Sequence, residues 1–141
     1  MALADFRYVM RFRVAFGDLD MLQHVNHAVY IKWAETVRCA YFSEVLQESL
    51  TGSNSVILAR LEFVYERALD YREDIVVGCR TTRMGRKSFD LVNEIWSESH
   101  GHRAGHGLFS LVAYDYPAKT SKPIPDRWRQ IIAAYETVAP L

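Results

Sequence analysis

One helix-like run limits what this chain can become. From Val29 to Leu46 the apolar side chains recur at helical spacing. Val29, Tyr30, Trp33, Val37, Tyr41 and Val45 form a stripe, and Ile31, Ala34, Ala40, Phe42 and Leu46 widen it. An ordinary surface helix buries an apolar face of about 100°. This run is wider and needs cover on most of its sides. Half of the 141 residues are hydrophobic and 13% are aromatic, enough to supply that cover from one core. A sheet curled around the helix meets the demand. Asn26 can cap the start of the helix, and Thr51-Gly52-Ser53-Asn54 is expected to end it.

The rest of the chain alternates with the period of β-structure. Phe6, Tyr8, Met10, Phe12, Val14 and Phe16 are expected on one face of a first strand. Further strands are predicted over residues 56–67, 74–84, 87–99 and 107–116, with Gly85 in a turn. The stretch His100-Gly101-His102-Arg103-Ala104-Gly105 reads as a Gly-rich hairpin, and a short helix over residues 126–135 ends the chain. Pro117, Pro123 and Pro125 exclude ordinary helix or central strand between them. The order is strand, long helix, four strands, short helix. The short connections between the later strands favour antiparallel pairing. The expected class is α+β, with an antiparallel five-stranded sheet around one central helix, in a single domain over residues 1–141.

Charge narrows the function. Seventeen basic residues balance seventeen acidic ones, which argues against binding nucleic acid or an anionic membrane by bulk charge. No apolar run approaches the roughly 20 residues a spanning helix needs. The first residues, Met1-Ala2-Leu3-Ala4-Asp5, lack the positive start and long apolar stretch of a secretory leader. Cys39 and Cys79 sit within regular patterns without metal or redox spacing and read as free thiols of a reducing compartment. A cytoplasmic location is the expectation. His100, His102 and His106 match no standard zinc spacing and read as a solvated turn, so no metal is expected.

The chemistry-bearing stretch is Phe16-Gly17-Asp18-Leu19-Asp20, followed by Met21-Leu22-Gln23-His24-Val25-Asn26-His27 and the helix. It sets carboxylates beside a helix N-terminus. A carboxylate can act as nucleophile or general base, and free backbone amides can polarise a carbonyl. Those are the two parts needed to hydrolyse an activated acyl compound. Asp18 reads as a loop-fixing residue, tied through backbone hydrogen bonds. His24 and the side chain of His27 read as hydrogen-bonded structural groups. Glu35, one turn from Arg38, is a competing carboxylate, and an ion pair between the two is the preferred reading.

The Asp-x-Asp loop, with His27 seven residues after Asp20 and then Tyr30, resembles the 4-hydroxybenzoyl-CoA thioesterase family of hotdog-fold enzymes. Tyr30, Glu35 and Arg38 match its helix pattern, His24-Val25-Asn26 a variant of its loop, and Arg86-Lys87-Ser88-Phe89 a stretch that in some members meets coenzyme A. The chain carries Gln23 where the family often has Gly, and His27 where it often has a second Asn. The resemblance implies an acyl-CoA thioesterase with no cofactor beyond the CoA of its substrate. Asp20 would be the catalytic carboxylate, with the backbone amide at His27 facing the thioester carbonyl. Asn26, Tyr30, Arg86, Lys87 and Ser88 would bind substrate, Arg86 and Lys87 through phosphate. It further implies a homodimer or homotetramer with the site between subunits. The alternative is a non-catalytic acyl-CoA or acyl-carrier-protein binder on the same scaffold; a hydratase is a third possibility that the Asp loop does not suggest.

Overall fold

The computed structural model describes residues 2–141, with the side chains described from Leu3 onward. Strand β1 (Tyr8–Arg13) leads through the Asp loop into helix α1 (His27–Glu44). Then come β2 (Ser55–Tyr65), β3 (Asp74–Met84), β4 (Ser88–Ser97), β5 (His102–Asp115), the two-residue β6 (Thr120–Ser121) and helix α2 (Asp126–Tyr135). All pairings are antiparallel, in the order β1-β3-β4-β5-β2, and β6 pairs with the end of β5. This is the α+β hotdog fold expected from the sequence.

The core lies between the concave face of the sheet and the helices. Trp33, Val37, Tyr41 and Phe42 of α1 are buried against Ile75, Val77, Cys79, Leu91, Ile95 and Leu111. The α2 residue Trp128 is fully buried edge-on to Phe42, with ring centroids 5.4 Å apart. Asn26 caps α1: its Oδ1 accepts from the Ala28 amide at 2.9 Å.

Several local expectations are corrected. Helix α1 ends at Glu44, before the expected stop at residues 51–54, and Gln47 turns the chain with a φ of 57°. Its Lys32–Glu35–Thr36 side stays exposed, so the sheet of one chain covers it incompletely. β1 is shorter than its alternation. Phe16 is 78% exposed because the Asp18 carboxylate accepts from the Ala15 amide at 2.8 Å and ends the extended run. Phe6 packs on the opposite, convex face with Leu3 and Val76. Gly78 makes that possible: a Cβ there would lie 2.6 Å from the Phe6 ring.

The supposed hairpin at residues 100–105 is largely strand. β5 begins at His102, so His102 and His106 are strand residues and not turn residues. Gly105 and Gly107 lie under the Phe63 ring, where a Cβ would come within 2.7 Å and 2.6 Å of it. Both serve close packing, and Gly105 is a strand residue and not part of a turn. The later strands do not form one simple meander either. β2 crosses to the far edge and pairs with β5, leaving β3-β4-β5 as the consecutive part.

Candidate active site

The Asp loop is built by its own polar groups. Asp18 anchors one end: its carbonyl accepts from the Asn26 amide at 2.9 Å. The Asp20 amide donates to the His24 carbonyl at 3.2 Å, and the Gln23 amide donates to the Asp20 carbonyl at 3.0 Å. This closes a tight turn in which Gln23 adopts a φ of 67°. That is the left-handed region glycine enters without strain, at the position where the resembling family often has Gly. The Val25 amide donates to the Leu69 carbonyl, pinning the loop to the β2–β3 connection. His24 Nδ1 lies 3.0 Å from Asp70, a second tie to that connection.

The Asp20 carboxylate is fixed at both oxygens. Oδ1 accepts from the Leu22 amide at 2.8 Å, and Oδ2 accepts from Asn26 Nδ2 at 3.1 Å. Asn26 is also the cap of α1, so one side chain sets the carboxylate against the helix start. The Ala28 and Val29 amides are taken by Asn26. The His27 amide, first of the helix, has no acceptor within the helix.

Asp20 and His27 line one cleft of about 360 Å³, together with His24, Tyr30, Tyr65 and Arg67. The Tyr30 ring is buried, and its hydroxyl donates to the Arg67 carbonyl at 3.0 Å. Burial pushes its pKa up to about 12, so it stays a neutral wall of the cleft. Tyr65 donates to the His27 carbonyl at 3.0 Å and stands edge-on to both the His27 and Tyr30 rings. Desolvation raises its pKa as well. Glu66 contributes a negative rim. Hydrogen bonds from Arg103 hold its carboxyl below the usual range.

The structure thus gathers Asp20, Asn26, His27 and Tyr30, but not Arg86, Lys87 and Ser88. Those three lie at the β3–β4 turn. Ser88 is opposite Val112, which is opposite Ile57 at the other end of β2 from Tyr65. Eight residues of strand separate the two levels, about 27 Å at ~3.4 Å per residue. Ser88 Oγ is engaged by Arg83 at 2.9 Å, and the Arg86 carbonyl accepts from the Ile124 amide. The Arg86 and Lys87 side chains are exposed. Tyr65, Glu66 and Arg67 are cleft residues that the sequence reading did not single out for the site. With Trp33, Tyr41, Phe42 and Phe63, Tyr65 reads from the sequence as mostly core, with an acyl-pocket role open to some of the five; the placement of β2 beside α1 turns Tyr65 toward the loop. His100 and His102 stack with ring centroids 5.7 Å apart, and His106 Nδ1 lies 2.9 Å from Glu66.

The comparisons with known proteins give the class to which this fold belongs. The family model of the thioesterase-like superfamily matches residues 14–132. The chain belongs to this superfamily and is a thioester hydrolase. A thioesterase from Thermus thermophilus, solved with coenzyme A and Zn, is 32% identical. The match covers 98% of this chain and 99% of that one, with a TM-score of 0.87. A thioesterase-superfamily structure from Jannaschia sp. CCS1 is 23% identical over 98% and 88% of the two chains, with a TM-score of 0.86. A 1,4-dihydroxy-2-naphthoyl-CoA thioesterase from Synechocystis shares the fold at 14% identity over 89% and 95%, with a TM-score of 0.76. No curated protein sequence matches the chain. Among the described residues no helix is long and apolar enough to cross a membrane.

Proposed function

We propose that this protein hydrolyses acyl-CoA thioesters with Asp20 as the reacting carboxylate and the His27 amide as the oxyanion donor. The observation that carries the reading is their convergence on one cleft, with Asn26 bonded to both the carboxylate and the helix start. The CoA substrate is supported by the coenzyme bound to the Thermus relative. In the general-base route, Asp20 takes a proton from water as the water oxygen bonds to the thioester carbon. The carbonyl oxygen gains charge facing the His27 amide, the C–S bond breaks, and the thiolate leaves and takes the proton. In the nucleophilic route, Asp20 itself displaces the thiolate, and water then opens the mixed anhydride. Both routes use the same groups and call on no cofactor, with CoA entering as part of the substrate. The two free thiols, Cys39 and Cys79, fit a cytoplasmic setting.

The reading includes a homodimer, paired through β2. That strand is a sheet edge, and Ile57, Leu58, Leu61, Val64 and Tyr65 along it are each 39–50% exposed. A long apolar edge strand invites pairing. Two copies of β2 paired antiparallel bring the low-numbered end of one beside the high-numbered end of the other. The partner's Arg86 and Lys87 then approach the cleft that holds Asp20, where they would meet CoA phosphates. Such a site is complete only in the pair.

The test is Asp20→Asn, assayed by thiol release from a panel of acyl-CoA substrates. Loss of about 10²-fold or more in kcat is expected, the range for removing a general base, with the circular dichroism spectrum unchanged. Full activity in the folded variant would overturn the mechanism.

A further inference from the structure

We infer that Glu35 and Arg38 form a reciprocal ion pair between two copies of this chain, across the two-fold axis of the β2-paired dimer. The inference rests on the dimer in the proposed function and adds what locks its register. The Arg38 side chain is only 8% exposed, yet it is poorly partnered within its own chain. Its Nη2 stands 3.9 Å from Glu35, at the outer limit of an ion pair, and Nη1 meets no acceptor among the described residues. The guanidinium lies over the Phe109 ring, 4.8 Å from its centroid. A buried guanidinium with an unused donor is costly unless an anion reaches it.

The position of that donor says where the anion comes from. Phe109 is opposite Leu61, next to the midpoint of β2. A two-fold axis relating paired copies of β2 passes close to that midpoint, so Arg38 faces the axis. Glu35, Arg38, Ile57, Leu58 and Tyr116 line a cleft of about 280 Å³ along the same edge. Across a two-fold axis whatever residue i meets on residue j, j meets on i. α1 carries both halves of such a contact one turn apart: a buried cation and a carboxylate that is 65% exposed. The helix face that the sheet of one chain leaves open is the face that carries Glu35.

Complementation by mixing tests the pair. Glu35→Lys gives each helix two cations at these positions, and Arg38→Glu gives each two anions. Each variant alone is expected to dimerise at least about tenfold more weakly than the parent chain in sedimentation velocity, the scale of a lost charged contact. An equimolar mixture should restore dimers, found as heterodimers by native mass spectrometry. A contact within one helix cannot be restored by mixing. If Arg38→Glu does not fold, Arg38→Gln replaces it, and heterodimers with Glu35→Lys should form ahead of Glu35→Lys homodimers. Parental dimer affinity in the folded single variants, or mixtures without heterodimers, would overturn the proposal. So would a rise in KM for acyl-CoA in Arg38→Gln with dimerisation intact, because Arg38 would then meet substrate. A parent chain that is monomeric under all conditions would instead overturn the dimer reading itself.

Discussion

Asn26 holds Asp20 and the start of α1 with the two ends of one amide: Nδ2 donates to Asp20 Oδ2 at 3.1 Å while Oδ1 accepts from the Ala28 amide at 2.9 Å. Capping and positioning are therefore one act, and substitution separates them. Asn26→Ala loses both and is expected to cost about 1 kcal/mol of stability along with activity. Asn26→Asp keeps a good cap but sets a second carboxylate against Asp20. It should retain the helix cap, lose stability only through the carboxylate repulsion read in urea unfolding at neutral pH, and lose kcat/KM by a larger factor than that stability loss accounts for. Parental activity in the Asp variant would show that the Asn26–Asp20 contact does not serve the reaction.

Arg86 and Lys87 have exposed side chains far from the cleft of their own chain. If the partner's copies hold CoA phosphate, the double variant Arg86→Ala, Lys87→Ala raises KM for acyl-CoA by roughly tenfold, the value of about 1.4 kcal/mol from charge-assisted contacts. The effect on kcat should be small, and the difference from the parent should shrink at high salt. An acyl-pantetheine substrate, which lacks the nucleotide, should not distinguish the two proteins.

The N-terminal turn sits on the convex face because Gly78 has no side chain. Gly78→Ala is expected to destabilise by about 1–3 kcal/mol through overpacking, since its Cβ would lie 2.6 Å from Phe6 and 3.0 Å from Leu3. In a Phe6→Ala background the same change should cost nearly nothing. A double-mutant cycle by thermal unfolding measures that coupling.

Glu136 supplies a pH test. Its Oε1 accepts from the Tyr41 hydroxyl at 2.5 Å and from the Thr81 amide at 3.2 Å, and burial raises its pKa above the ordinary 4.5. The folded chain then keeps a proton that the unfolded chain has lost. By linkage, this group's contribution to stability falls as pH rises from about 4.5 through the folded value, and is constant below. Glu66, Asp74 and Asp90 act in the opposite sense. Arginine partners hold their pKa values low, so their stabilisation is lost as the solution is acidified. Glu136→Gln should remove the first trend alone, and stability measured by urea unfolding against pH should show it as a flatter profile above pH ~4.5. An unchanged profile would refute the assignment.

Local order was legible in the residues themselves. The wide apolar stripe from Val29 to Leu46 required a covered helix, which ends at Glu44, and Asn26 marked its start within one residue. The alternation over residues 74–84 predicted β3 with the bounds observed. Both signals are short-range: a side chain's direction is set by backbone period, and a cap by the amides two residues on. The loop carboxylates were legible too, because Asp18 and Asp20 fall just ahead of the helix that Asn26 caps.

Other features depended on what came to lie opposite. Gly105 reads as a turn residue in the sequence, but Phe63 crosses it in the structure, and Tyr65 reads as core although β2 takes the sheet edge beside α1. Nothing local tells β2 to pair with β5 in place of β3, since strand partners are chosen by the packing of the whole sheet around one helix. The sequence alone determined the helix, its cap and the carboxylate. Tertiary structure alone decided which side chains form the cleft wall and how far Arg86 and Lys87 stand from it, because those relations join residues distant along the chain.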